Sequence, residues 1–175
     1  MITQNFSKQY LYLDATDFLV LGILDESFSW IEYIEFADKK SASQIHPLLD
    51  QLTHKKSISP LDFAGVFVCS GPGSYTGIRL SENFAQIFEW QNIPVITFYH
   101  HEIPLLANVQ TGSWSCPAFK GESYVYTWDG KTQTSTLLAS HLLAEQLPQY
   151  FSHAGEKSTR SMIKDQSNLI LKKIF

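Results

Sequence analysis

Val66-Phe67-Val68-Cys69-Ser70-Gly71-Pro72-Gly73-Ser74-Tyr75-Thr76-Gly77-Ile78-Arg79-Leu80 carries the chain from an apolar strand into an amphipathic helix, through a turn with three glycines. Four apolar residues in succession suit a central strand covered on both faces. The glycines permit positive φ and close backbone approach, so the strand ends in a tight turn. Ser74 is placed to accept an N–H from the first helical turn, and the helix N-terminus carries positive partial charge. Two readings compete. A phosphate cradle of the Walker type would end in Gly-Lys-Ser or Gly-Lys-Thr, but Gly77 is followed by Ile78 and Arg79. The plainer reading, favoured on the residues alone, is that glycine lets the helix pack close to its sheet or to a partner helix.

The helix predicted from Tyr75 to Trp90 carries Ile78, Leu80, Phe84, Ala85, Ile87 and Phe88. At 3.6 residues per turn these cover close to half its circumference, wider than one sheet needs, which predicts a second burial partner. Arg79, Glu82, Asn83 and Gln86 lie on the remaining face, either a solvated surface or the polar rim of an interface. Upstream, Gln9 to Leu13, Phe18 to Leu24 and Ser29 to Phe36 read as three antiparallel strands joined at Asp14-Ala15-Thr16-Asp17 and Asp25-Glu26-Ser27. Ser41 with Gln44 has the form of a capping box, and Ile45, Leu48, Leu49 and Leu52 follow at helical spacing, predicting a helix from Ala42 to His54. Pro47 either kinks it or moves the cap to Ser43. Val95 to Tyr99 reads as a strand and His101 to Asn108 as a short helix. The order β-β-β-α-β-α-β-α predicts an α/β lobe with helices on a mixed sheet.

Composition narrows the function. Of the 175 residues, 44% are hydrophobic and 17% charged, an ordinary balance with material for one full core or two small lobes. Net charge is −4 and uneven: residues 1–110 hold 6 Lys/Arg against 12 Asp/Glu, and residues 111–175 hold 7 against 5. Arg79 and Arg160 are the only arginines, so the basic stripe of a self-sufficient RNA binder is missing. Cys69 and Cys116 lack metal-ligand spacing, and no basic cluster precedes an apolar N-terminal run, which points to the cytoplasm. No apolar run approaches the roughly 20 residues that span a bilayer.

The decapeptide Gly71 to Leu80, with the apolar strand before it and Asn92-Ile93-Pro94-Val95 after the helix, closely resembles bacterial TsaB, also called YeaZ-like. The resemblance runs from about Gln9 to Asn108 and returns more faintly at Ala118-Phe119-Lys120-Gly121-Glu122-Ser123-Tyr124. It implies a ribonuclease H-like lobe of the actin, sugar-kinase and Hsp70 superfamily. It also implies a non-catalytic subunit of the machinery that makes threonylcarbamoyladenosine beside the tRNA anticodon. The implied partners are a TsaD-like catalytic paralogue, a TsaE-like ATPase through the complex, and tRNA only indirectly; no cofactor or metal is implied. Two helices would face TsaD, through Ile45, Leu49 and Leu52 on the first and Tyr75, Ile78, Arg79, Glu82, Asn83 and Gln86 on the second. Ser81 and Ile87 stand where the family commonly has glycine, and Glu82 and Phe84 also depart from it, so axis separation depends on small residues in the partner. A homodimer through the same surface is a further expectation.

The resemblance divides the chain into a lobe of residues 1–110 and a reduced second α/β lobe with a tail, residues 111–175. In the latter, Glu122 to Trp128 and Lys131 to Thr136 flank an Asp129-Gly130 hairpin turn. Leu137 to Phe151 reads as helical, Ser152 to Ser167 as a polar loop, and Asn168 to Phe175 as a docked helix or strand. The alternative function is a degenerate nucleotide-binding or phosphotransfer protein. It would use Asp14, where active superfamily members place a metal-binding carboxylate, with Gly73 and Ser74 in the Gly71–Gly77 turn; the plainer role of Asp14 is to bond its own turn. His100 and His101 are adjacent, so on a helix they diverge by roughly 100° and do not share an ion. Ser74 with His46 or His100 lacks the nucleophile-elbow pattern.

Overall fold

The computed structural model describes residues 8–37, 41–130, 132–147 and 149–175. Strands β1 (Tyr10–Asp14), β2 (Leu19–Leu24), β3 (Trp30–Phe36), β4 (Gly65–Cys69) and β5 (Val95–Phe98) form a five-stranded sheet in the order β3-β2-β1-β4-β5. β1 pairs antiparallel with β2 and parallel with β4, so the meander predicted at the start opens a mixed sheet. Alternation along the strands assigns the two faces. Leu11, Leu13, Leu19, Leu21, Ile23, Val66 and Val68 point to one side, where they meet α1 (Ile45–Lys56) and α2 (Tyr75–Trp90). Tyr10, Tyr12, Val20, Leu24, Phe67, Cys69 and Phe98 point to the other. That second face is covered by Ile103 of the short helix α3 (Ile103–Leu106) and by Ile163, Ile170 and Leu171, far along the chain.

α2 has the predicted bounds, with Ser74 Oγ accepting the Gly77 N–H at 3.3 Å as its cap. α1 starts at Ile45, later than the Ala42 expected, because Ser41–Gln44 form a 3-10 turn. That start puts Pro47 in the first helical turn, where a missing N–H leaves no bond unmade, so neither a kink nor a Ser43 cap is needed. The Ser41–Gln44 capping box rests on the Ser41 side chain, which lies outside the described residues.

The second lobe departs further from expectation. β6 (Gly112–Pro117), β7 (Glu122–Trp128) and β8 (Gln133–Ala139) form an antiparallel sheet in that order, with the expected start of the last strand, Lys131, outside the described residues. β6 was not anticipated: its Ser-Trp-Ser-Cys alternation is short, and only Trp114, Cys116 and Trp128 packed together reveal it as a core strand. The helix expected over Leu137–Phe151 is corrected: β8 runs to Ala139, since Tyr124 and Leu137 pair across the ladder. Among the described residues of that span, only α4 (Leu143–Gln146) is α-helix.

The loop expected over Ser152–Ser167 is corrected too. α5 spans Thr159–Ile174, capped by Ser158 and kinked at Gln166. Its polar composition hid it, for Thr159, Arg160 and Ser167 are as buried as Ile163, Ile170 and Leu171. Each of those three aliphatic side chains contributes about 1.5–3 kcal/mol by burial. α5 lies on the first sheet, so residues 111–175 do not all pack as one lobe.

Candidate functional site

Gly73 and Gly77 explain the glycine-rich turn in steric terms. A Cβ on Gly77 would lie 1.7 Å from the Ala15 carbonyl oxygen, and one on Gly73 would lie 2.3 Å from that of Thr16. Ser74 N–H donates to the Thr16 carbonyl at 2.5 Å. The glycines thus press the start of α2 onto the β1–β2 turn, which supports the close-packing reading made from the residues.

That turn presents Asp14 to a buried polar cluster. Its Oδ1 accepts the Thr16 N–H at 2.9 Å and the Thr16 hydroxyl at 2.6 Å, the local turn bond expected of an aspartate there. Its Oδ2 accepts Arg160 Nε–H at 2.9 Å and lies 3.0 Å from His100 Nε2. Arg160 also donates from Nη2 to the Phe18 carbonyl at 2.9 Å, and its guanidinium lies 3.8 Å from the Phe18 ring centre. The other imidazole nitrogen of His100 is 2.9 Å from Thr159 Oγ1, whose hydroxyl donates to the Ser152 carbonyl. Asp14 and His100 are fully buried and Arg160 nearly so. Burial opposes ionisation of Asp14, but the His100 and Arg160 charges and hydrogen bonds outweigh it and hold its carboxyl well below the usual range. Sequence reasoning found Asp14 and missed Arg160, which reaches it from 146 positions away.

Asp14, Cys69 and His100 bring potential ligand atoms within 4.8 Å of one another. They do not suit a cation: the Arg160 guanidinium takes Asp14 Oδ2, and burial raises the Cys69 thiol well above its ordinary range. His100 and His101 separate as expected. His100 turns inward to Asp14, while His101 stacks on Tyr126 with ring centres 4.0 Å apart.

A cleft of about 600 Å³ opens between the lobes, and it includes Gly73, Ser74 and Tyr75 with Thr16, Asp17, Phe119, Tyr124 and His153. Asp14 does not line it, so the structure separates the carboxylate from the turn residues grouped with it. His153 Nε2–H donates to the Pro72 carbonyl at 2.7 Å, and burial, then the nearby His100, depress its pKa to about 3.

The residues expected to face a partner divide in two. Ile45 and Leu52 are fully buried in the chain's own core against the sheet, while Leu49, in the same core, is 7% exposed and lines a groove with His46, Pro47, Asp50 and Pro60. Tyr75, Arg79, Glu82, Asn83 and Gln86 are exposed, and Ile78 is half-buried. Tyr75, Arg79, Asn83, Gln86 and Trp90 follow one another at helical spacing along a single face of α2. The ends of that face are aromatic, with Tyr75 71% and Trp90 76% exposed, and Ile87 stands beside it at 44%. Arg79 lies over the Tyr75 ring at 5.1 Å. Trp90 was not singled out from sequence; its place one helical turn beyond Gln86 was the available signal.

Comparison with known proteins gives a concordant result. Residues 35–137 match the family model of TsaD, tRNA N6-adenosine threonylcarbamoyltransferase. The Bacillus subtilis (strain 168) tRNA threonylcarbamoyladenosine biosynthesis protein TsaB is 30% identical over 87 residues, 49% of this chain and 38% of the relative. The chain thus spans well under half the length of that curated relative. Two solved Pseudomonas aeruginosa structures share the fold: YeaZ, and a protein described as similar to peptidase YeaZ. Each has a TM-score of 0.63 and 16% identity over 83% of this chain, covering 75% and 74% of its own chain respectively. With its family model matched across more than half of its residues, the chain belongs to the tRNA N6-adenosine threonylcarbamoyltransferase (TsaD) family, as a TsaB/YeaZ-like member.

Proposed function

We propose that this chain is a non-catalytic subunit supporting threonylcarbamoyl transfer to the adenosine beside the tRNA anticodon. In this reading it binds and stabilises a TsaD-like catalytic paralogue in the cytoplasm. The observation that carries the reading is the exposed face of α2, with Tyr75 and Trp90 at its ends and Ile87 beside it. Large rings left in water mark a docking surface more strongly than scattered aliphatics do. His46, Pro47, Leu49 and Asp50 of α1 line an open groove with Pro60, so Leu49 keeps the contact role first expected of it, and His46, Pro47 and Asp50 take the place of Ile45 and Leu52. Enclosure of Asp14 by Arg160 and His100 is in keeping with a silent site. A TsaE-like ATPase joins through the complex, and tRNA is held by other subunits, as the acidic first lobe suggests.

Co-purification with the TsaD-like chain of the same source tests this. Ile87→Asp and Trp90→Ala should each abolish capture while leaving the circular dichroism spectrum unchanged, and capture undiminished in both variants would remove α2 from the account. Phe84→Asp is a poor probe because Phe84 is only 4% exposed, so the change would report on folding.

The interlobe cleft favours a second reading, residual nucleotide binding beside Gly73 and Ser74. No lysine or arginine is among its lining residues, which counts against a phosphate chain. Calorimetry with ATP and magnesium separates the two: a scaffold gives no saturable heat.

A further inference from the structure

The edges of the two sheets are defended unequally. β3, an edge of the first sheet, carries Glu32 and Glu35, which pair with Lys55 and Lys56 and with Lys164 respectively. β5, the opposite edge, has only four residues. In the second sheet the outer edge of β6 is closed by Phe151, whose N–H donates to Ser113 and whose carbonyl accepts from Ser115. β8 is different. It is the other edge of that sheet, and no described residue pairs with its outer side. Gln133 to Ala139 contains no charge, no proline and no glycine, and its first five residues are exposed. Such an edge offers unpaired N–H and C=O groups without the devices that deter pairing.

We propose that β8 pairs with β8 of a second copy of this chain, antiparallel about a two-fold axis at Thr136, to give one continuous six-stranded sheet. This register engages all seven residues of the strand: Thr136 faces its own counterpart, Ser135 faces Leu137, Thr134 faces Leu138, and Gln133 faces Ala139. No like charges meet in it. Thr136 opposite Thr136 repeats a pairing the sheet already uses, where the Thr127 and Thr134 hydroxyls lie 2.6 Å apart across β7 and β8. Leu137 is 50% exposed and pairs across the ladder with Tyr124, 44% exposed, so a neighbouring strand would cover apolar surface that the single chain leaves wet. A closed two-fold pairing uses up the edge, which explains how an uncharged strand of this kind avoids open-ended association. The surface is distinct from α2, and the inference does not rest on the proposed function.

Sedimentation equilibrium over a wide concentration range tests it, with Thr136→Lys, which sets like charges opposite each other at the axis, and Trp90→Glu on α2. The expected result is a dimer for the wild type and for Trp90→Glu, and a monomer for Thr136→Lys with an unchanged circular dichroism spectrum and a melting temperature that no longer depends on protein concentration. On oxidation, Thr136→Cys should form a covalent dimer and a Ser161→Cys control should not; Cys69 and Cys116 are buried and do not interfere. This cross-link decides the matter if Thr136→Lys fails to fold. A wild type that stays monomeric throughout, or a dimer lost with Trp90→Glu yet kept with Thr136→Lys, overturns the proposal.

Discussion

Replacing Arg160 by alanine should cost about 3–5 kcal/mol at neutral pH, because it leaves the buried Asp14 carboxylate without the guanidinium that pairs with it. In a chain of this size that corresponds to a fall of about 10 °C in melting temperature. The loss should depend on pH with a definite sign. In the native protein the Asp14 carboxyl is depressed, so its contribution is present above the unfolded value near pH 4 and disappears as pH falls through the folded value. In the variant the carboxyl loses the opposing guanidinium and its pKa rises, so protonation relieves the penalty earlier on acidification. The stability difference between the two proteins should therefore shrink from pH 7 toward pH 4. Urea unfolding at several pH values measures it, and Asp14→Asn with Arg160→Ala in one chain closes a double-mutant cycle. The double variant should be more stable than the sum of the single losses predicts. A loss below about 1 kcal/mol, or one independent of pH, would refute the view that this ion pair anchors α5.

Gly77→Ala should destabilise by about 3 kcal/mol or more, read as a lower melting temperature, since the added carbon collides with the Ala15 carbonyl oxygen rather than with a movable side chain. His153 stays neutral in the folded state down to about pH 3, while the unfolded chain takes up its proton near 6.5. Stability should accordingly decline on acidification between those values by up to about 1.4 kcal/mol per pH unit, and denaturant titrations of His153→Gln should show that slope reduced. Cys69 and Cys116 are both buried, and burial lifts the Cys116 thiol to about 12. A thiol-disulfide reagent at mildly alkaline pH should titrate neither in the native protein and both after denaturation.

The first lobe was legible because local patterns and tertiary packing agree there. Ser74, the glycines and the apolar spacing of Tyr75–Trp90 each point to the same helix start, and Val66 to Cys69 is apolar on both faces because both faces are covered. Where patterns failed, burial was arranged by distant partners. Arg160 and Thr159 read as surface residues in a polar tract, since nothing near them in sequence announces Asp14 and His100. Leu137 and Leu138 suggested a helix, but the ladder to β7 extends through them, and pairing outweighed intrinsic preference. Ile45, Leu49 and Leu52 were correctly read as one helical face. Their periodicity could not tell whether sheet or partner would cover it, and the sheet does.

The placement of α5 bears on how the molecule is made. During synthesis, a chain extended through residue 106 already holds every strand of the first sheet, yet Tyr10, Tyr12, Phe67 and Phe98 remain without the cover that Ile163, Ile170 and Leu171 later provide. At about 5–20 residues per second, several seconds pass before that cover is translated. Through that interval the aromatic side of the sheet must be sheltered by a chaperone or by transient collapse. Ribosome stalling before Arg160 would leave a nearly complete fold with one sticky flank.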